Sequence, residues 1–239
     1  MHSKSKPSQS VLITGGGTGI GLAFAKDLLK QGYGTLILGS RRREILETTA
    51  TGLRSQFPNQ RILTFAFDLR DRSQTESIVQ FAFTECGVVD VLINNSGLAV
   101  PETIDKLTDD GWNTVMETNL RGAMWLTQMV LPAMVQQDFG DIVNVSSQAG
   151  KHGYADVPSY CASKFGLLGF AEAVRDDVCK NGRNIRVFNL CPALVDVESD
   201  ESSPPRPGFL HVRAMAQTLG YALGLDRNVV LHDIGLSGR

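Results

Sequence analysis

The sequence predicts an α/β fold in which a parallel sheet is covered by helices on both faces, a doubly wound arrangement. Three observations carry this. Strand-like and helix-like segments alternate from end to end. The strand segments are continuous apolar runs, as expected of strands buried on both faces. The first of them runs directly into a glycine-rich turn that opens a helix.

Val11–Thr14 is the first apolar run, and Gly19–Lys30 follows with Leu22, Ala23, Ala25, Leu28 and Leu29 at helical spacing. Thr35–Leu38 (strand), Glu44–Gln56 (helix), Arg61–Phe67 (strand) and Ser73–Glu85 (helix) continue the alternation. Val88–Ile93 is a further buried strand, closed by the turn-rich Asn94-Asn95-Ser96-Gly97. Thr108-Asp109-Asp110 supplies an N-cap and first-turn acids for a long helix toward Gln137, which Pro132 is expected to kink or restart. Asp141–Val145, Ser159–Lys180 and Ile185–Leu190 read as strand, helix and strand, followed by a helix near Leu210–Ala222 and a last strand near Val229–Ile234. Between them, Glu198–Gly208 is loop-like, with three prolines.

With 239 residues, 42% of them hydrophobic, the chain has enough apolar surface for one sizeable core, so residues 1–239 are read as a single domain. Residues 1–9 are expected to be a flexible N-terminus and 196–222 a substrate-lid region. A net charge of −2 gives no basic footprint for nucleic acid or an anionic membrane. The polar, basic start has no apolar core of a secretory signal, and no run reaches the roughly 20 apolar residues of a membrane helix. Cys86, Cys161, Cys179 and Cys191 form no CxxC pair and have no zinc-like histidine spacing. The expectation is a soluble cytoplasmic protein with reduced thiols, no metal, no nucleic acid and no membrane partner.

Thr14-Gly15-Gly16-Gly17-Thr18-Gly19-Ile20-Gly21 joins the first strand to the first helix. Glycines there let backbone N–H groups approach a pyrophosphate, and the helix N-terminus favours its charge. GxGxxG fails because Ile20 stands where the third glycine would fall, and the P-loop fails because Leu22, not lysine, follows Gly21. Gly15-x3-Gly19-x-Gly21 fits as a longer loop for the same task. The second strand ends Leu38-Gly39-Ser40-Arg41-Arg42 with no acid for ribose hydroxyls. Ser40 and Arg41 instead suit a 2′-phosphate, which favours NADP(H) over NAD(H).

Tyr160 and Lys164 lie one helical turn apart on the same face. A free phenol, with a pKa near ~10, is a poor proton carrier at neutral pH, and a nearby ammonium lowers that value. The pair therefore offers a proton-transfer site next to a cationic cofactor ring.

With these residues in view, the chain resembles the short-chain dehydrogenase/reductase family over about residues 10 to 192. Thr14-Gly15-x3-Gly19-Ile20-Gly21 matches its cofactor loop, Asp68-Leu69 resembles its adenine-contacting segment, and Asn94-Asn95-Ser96-Gly97 resembles its Asn-Asn-Ala-Gly. Asn119, Ser147 (preferred over Ser146 for its spacing from the tyrosine), Tyr160 and Lys164 match its catalytic tetrad. The resemblance implies a Rossmann-like, seven-stranded parallel sheet of order 3-2-1-4-5-6-7. It implies hydride exchange between NADP(H) and a small-molecule carbonyl or alcohol, with Tyr160 as general acid or base. Lys164 would lower the tyrosine pKa and bind the nicotinamide ribose, Ser147 would polarise the substrate oxygen, and Asn119 would hold a proton-relaying water. Gly15, Gly17, Thr18, Gly19, Ile20, Gly21, Ser40, Arg41, Asp68, Leu69, Asn95, Ser96, Gly97, Tyr160, Lys164, Pro192 and Val195 are the implied cofactor contacts.

The chain departs from the family after the sixth strand, where Pro192-Ala193-Leu194-Val195-Asp196-Val197 replaces Pro-Gly-x-x-x-Thr. Val197 lacks the hydroxyl that the threonine gives the cofactor, and Asp196, Glu198, Asp200 and Glu201 make the lid segment acidic. The resemblance further implies a homodimer or homotetramer. Trp112, Met116, Met124, Trp125 and Met129 suit either that interface or an intrachain core. Three functions compete: a ketone reductase or alcohol dehydrogenase, a 3-oxoacyl-thioester reductase, and a non-catalytic cofactor-binding regulator.

Overall fold

The computed structural model of the protein describes residues 4–198 and 204–238. The acids expected at positions 200 and 201 lie outside the described residues. Strands β1 (Ser10–Thr14), β2 (Thr35–Ser40), β3 (Arg61–Ala66), β4 (Val91–Asn94), β5 (Gly140–Val145) and β6 (Ile185–Pro192) alternate with helices α1 (Gly19–Lys30), α2 (Arg43–Gln56), α3 (Arg72–Cys86), α4 (Asp109–Met116), α5 (Gly122–Gln137) and α6 (Pro158–Lys180). Two short strands, β7 (Val195–Asp196) and β8 (Leu210–His211), precede helix α7 (Val212–Gly224) and strand β9 (Asp233–Leu236). The main sheet has seven parallel strands in the order β3-β2-β1-β4-β5-β6-β9, the implied topology.

Alternation along each strand builds two cores. Val11 and Ile13 face α1, α2 and α7, where Phe24, Leu28, Leu46 and Met215 are buried. Leu12 faces the other side with Ile78 of α3, Leu126 and Val130 of α5 and Ala171 of α6. Strands buried on both faces leave no polar alternation, which is why they read as continuous apolar runs.

One polar device crosses this sheet. Asn94, Asn144, Asn189 and Asp233 stand in register on four adjacent strands. Asn94 Nδ2 donates to Asn144 Oδ1 at 2.9 Å, Asn144 Nδ2 to Asn189 Oδ1 at 3.0 Å, and Asn189 Nδ2 to Asp233 Oδ1 at 2.7 Å. Buried amides need such partners, and here they join β4 to β9 just below the site.

Several expectations change. Residues 4–9 are packed rather than a free tail: Lys6–Ser8 form a 3-10 turn, Gly34 N donates to Lys6 O at 3.1 Å, and Lys4 Nζ reaches Asp90 at 2.8 Å. Asp90 is buried and its carboxylate requires that cation. Pro132 sits inside α5 without ending it. It lies on the solvent face, as does Gln128 one turn earlier, so water can satisfy the carbonyl that proline leaves unbonded. The helical stretch is interrupted earlier, by a π turn at Glu117–Arg121 in which Gly122 N reaches back to Glu117 O. The last strand begins at Asp233, beyond the expected 229, because Val229 N closes a turn on Asp226 O and the chain first meets β6 where Asn189 N donates to His232 O.

Candidate active site

The site lies at the carboxyl ends of β1, β4, β5 and β6, the crevice where the strand order reverses. Two adjoining cavities occupy it, of about 490 Å³ and about 780 Å³, and they share Ile20, Asn95, Gly97, Leu98 and Val197.

The smaller cavity is built on the glycine loop. Gly15 adopts φ +66°, and a β-carbon there would come within 2.8 Å of Asn95 Nδ2. At Gly21 a β-carbon would lie 2.2 Å from Gly15 O, so only glycine lets α1 start this close to the loop. Thr14 Oγ1 accepts from Asn95 N at 3.0 Å and Ser96 N at 2.9 Å, holding the β4 turn against the loop. Of the expected contacts, Gly15, Gly17, Thr18, Ile20, Ser40, Arg41, Asp68, Leu69, Asn95, Ser96 and Gly97 line this cavity. Gly19 and Gly21 line neither cavity and act through loop geometry.

At the far end Ser40, Arg41 and Arg42 face Asp68, whose carboxylate accepts from Arg70 Nε at 3.2 Å and Nη2 at 2.8 Å. The Arg70 hydrogen bond holds the Asp68 carboxyl below the usual carboxylate range. The open, glycine-lined loop fits a dinucleotide, with Ser40, Arg41 and Arg42 at its far end. Arg42, Ile45, Phe67, Leu98 and Thr118 also line this cavity and were not foreseen as contacts, and Val197 lines it at the position where the family has threonine. Arg42, Phe67, Leu98 and Thr118 each adjoin a residue of an expected motif, whereas Ile45 lies in the first turn of α2 with no local motif.

Ser147, Tyr160, Lys164, Pro192 and Val195 meet in the larger cavity. β5 delivers Ser147, and α6 presents Tyr160 and Lys164 one turn apart. Lys164 is buried, its Nζ donates to Val145 O at 2.8 Å, and it lies 5.6 Å from the centre of the Tyr160 ring. Gly97 permits this placement, since a β-carbon there would lie 3.3 Å from Nζ.

Burial dominates both titrations. It pushes the Tyr160 phenol above its ordinary pKa, with a hydrogen bond to Ser147 opposing, and it pushes Lys164 down to about 8. Burial, and not the expected lowering by the lysine, therefore sets the direction of the tyrosine's shift. The amine is itself desolvated and turned toward a carbonyl.

Asn119 sits in the π turn and lines neither cavity. Its Nδ2 donates to Leu98 O at 2.8 Å and Ser163 Oγ at 3.0 Å, while Oδ1 accepts from Leu98 N at 2.9 Å. Both amide hydrogens are spent on pinning the cavity wall.

The lid is smaller than expected. Helix α7 is core, packed on α1 through Met215, Ala216 and Leu219, because its apolar face covers one side of the sheet. Asp196 is buried and accepts from Arg206 N at 2.9 Å, closing the loop between β7 and β8. Val197, half-exposed, stands against Gly19.

A doubly wound sheet with a dinucleotide cleft beside a Ser–Tyr–Lys cavity defines the class of nicotinamide-dependent oxidoreductases. The family model described as short chain dehydrogenase matches residues 9–207. Ketoacyl reductase HetN of Nostoc sp. is 33% identical over 220 residues, covering 90% of this chain and 75% of the relative. The 3-oxoacyl-[acyl-carrier-protein] reductase FabG of Thermotoga maritima is 32% identical over 198 residues, covering 82% and 77%. The serine dehydrogenase of Escherichia coli superposes with a TM-score of 0.82 at 26% identity, covering 96% of this chain and 97% of its own. The chain belongs to the short-chain dehydrogenase family and is an oxidoreductase acting on CH–OH or C=O groups.

Proposed function

We propose that the protein is an NADPH-dependent reductase of ketones, or in reverse a dehydrogenase of secondary alcohols, with Tyr160 as the proton-transfer residue. The reading rests on one observation above all: Ser147, Tyr160 and Lys164 line one cavity that opens into the cleft ending at Ser40 and Arg41. The bound nicotinamide supplies or accepts the hydride. Ser147 donates to the substrate oxygen and polarises the carbonyl. Tyr160, kept protonated by burial, gives its proton to that oxygen. Lys164 would use its remaining N–H groups to hold the nicotinamide ribose, and Asn119 holds Leu98 and hence the wall.

Ser40, Arg41 and Arg42, with no free acid beside them, support NADP(H) over NAD(H). A relative named NADP-dependent 3-hydroxy acid dehydrogenase from Schizosaccharomyces pombe, 34% identical over 192 residues, agrees with that choice. Ketone turnover with NADPH is expected to exceed that with NADH by about tenfold or more, and Arg41→Ala to close most of the gap through the KM for NADPH. A preference for NADH would refute the assignment.

The ketoacyl reductases among the relatives support a second reading, reduction of a 3-oxoacyl thioester. We also propose a cytoplasmic homodimer or homotetramer. Trp112 and Met124, each 38% exposed on the α4–α5 face, support a partner there. Among the described residues no helix is long and apolar enough to cross a membrane.

A further inference from the structure

We propose that Gln148 reads a hydrogen-bond donor, a hydroxyl or N–H group, carried next to the reacting carbon of an uncharged substrate. The proposal rests on the reductase reading above and names the substrate class for that site.

The walls of the larger cavity are mostly apolar, with Ala99, Val145, Ala149, Val157 and Leu194 among them. Its polar groups are few, and most are already committed. Asn95 Nδ2 donates to Thr14 O at 2.8 Å, and Ser146 Oγ donates to Lys164 O at 3.4 Å. Ser147, Tyr160 and Lys164 belong to the reaction. Tyr154 is 49% exposed and meets solvent at the rim.

Gln148 remains. It is half-buried and lines the cavity, and the carbonyl that its amide meets, Leu236 O, also accepts from Ala193 N, next to the Pro192 whose O receives Ser147 Oγ, so the Gln148 and Ser147 side chains stand at the same end of β6. Its side chain makes one long bond, from Nε2 to Leu236 O at 3.4 Å. That contact assigns the amide orientation, because Oε1 facing a carbonyl would be repelled. Among the described residues no donor is recorded for Oε1. An amide oxygen only accepts, so its complement on a substrate is a donor. A hydroxyl one carbon from the reacting carbonyl satisfies it, whereas the second carbonyl of a 3-oxoacyl thioester leaves it unmet and can reach only the remaining Nε2 hydrogen.

Charge sets the other half of the class. Among the described residues Lys164 is the one cationic residue in the lining, and its amine is bound to Val145 O and committed to the cofactor side. A carboxylate on the substrate would lose water with no cation to replace it. The cavity therefore selects a neutral, largely apolar molecule with one donor beside the reacting carbon.

The test uses the purified chain with NADPH and three ketones of similar size. They are hydroxymethyl hexyl ketone, its isostere ethyl hexyl ketone, and the 2-oxo acid with a carboxylate in place of the hydroxymethyl group. The hydroxymethyl ketone is expected to have the highest kcat/KM, about tenfold above the ethyl ketone and mainly through KM. Gln148→Leu is expected to cut that ratio to near unity, and Gln148→Glu, which keeps an acceptor oxygen, to restore part of it. Each ratio is taken within one preparation, so a partly folded variant does not distort it. A ratio unmoved by Gln148→Leu, or the oxo acid as best substrate, would overturn the proposal while leaving the reductase reading intact. If the chain binds NADPH but reduces none of the three or any other carbonyl, the reductase reading fails and the proposal with it.

Discussion

Tyr160→Phe is expected to lower NADPH-dependent carbonyl reduction by roughly a hundred- to ten-thousandfold while leaving NADPH affinity within about twofold. The substitution keeps the ring, so the wall of the cavity survives and only the transferable proton is lost. Steady-state kinetics with a cofactor-binding titration separate the two effects. The direction of the pKa shift adds a signature. Burial raises the phenol, so the acid form needed for reduction persists through neutral pH, and the base form needed for alcohol oxidation is reached only as pH rises. Reduction is therefore expected to be flat around neutrality, with oxidation increasing toward alkaline pH. Residual reduction near the natural rate in the Phe variant would refute the role of Tyr160.

Asp141→Ala is expected to cost about 3–5 kcal/mol of stability. Asp141, the second residue of β5, has its side chain 4% exposed. It accepts from Arg186 Nε at 2.7 Å and Nη2 at 3.1 Å, and from Arg227 Nη1 at 2.7 Å. Removing the carboxylate leaves the buried Arg186 and the partly buried Arg227 side by side with carbonyl partners but no counter-charge. Arg227 also donates to Gly140 O at 3.0 Å and Asn184 O at 2.7 Å, so the same cluster ties the segment before β9 to the sheet. Urea denaturation of both chains measures the loss. A shift under about 1 kcal/mol would mean that the cluster is no more than a surface-like pair.

These two expectations also mark what was legible in the sequence. The meeting of Tyr160, Lys164 and Ser147 in one cavity was legible because it depends on spacing within one helix and on one nearby strand end. The Gly15–Gly21 loop was readable for a related reason: φ at Gly15 and the close approach at Gly21 are local demands that only glycine meets. The sheet order came through the resemblance, and the two-sided burial that produces it was visible in the apolar runs.

What escaped was tertiary. Leu98 and Thr118 reach the cleft from two separate segments beside residues of expected motifs, and neighbourhood in the chain does not say which neighbour forms the wall. The direction of the Tyr160 shift depends on how much water the folded chain removes, which the Tyr160–Lys164 spacing does not encode. Asn119 matched its motif, yet its amide is spent on Leu98 and Ser163, partners distant in the chain. Helix α7 was counted with the lid because it follows an acidic, proline-rich loop. Its apolar face packs against α1 and belongs to the core. The acidic character of the loop was misleading at Asp196, whose charge is turned inward onto Arg206.

The central claim is that this cavity transfers a hydride and a proton to a carbonyl group. The most direct measurement follows NADPH oxidation by the purified chain across neutral ketones, diketones and acetoacetyl thioesters, with the alcohol quantified as product. The account predicts oxidation with at least one of these classes, one alcohol formed per NADPH consumed, and loss of both signals in Tyr160→Phe. Tight binding of NADPH without oxidation by any of them would contradict it and leave a cofactor-binding regulator as the reading of this fold.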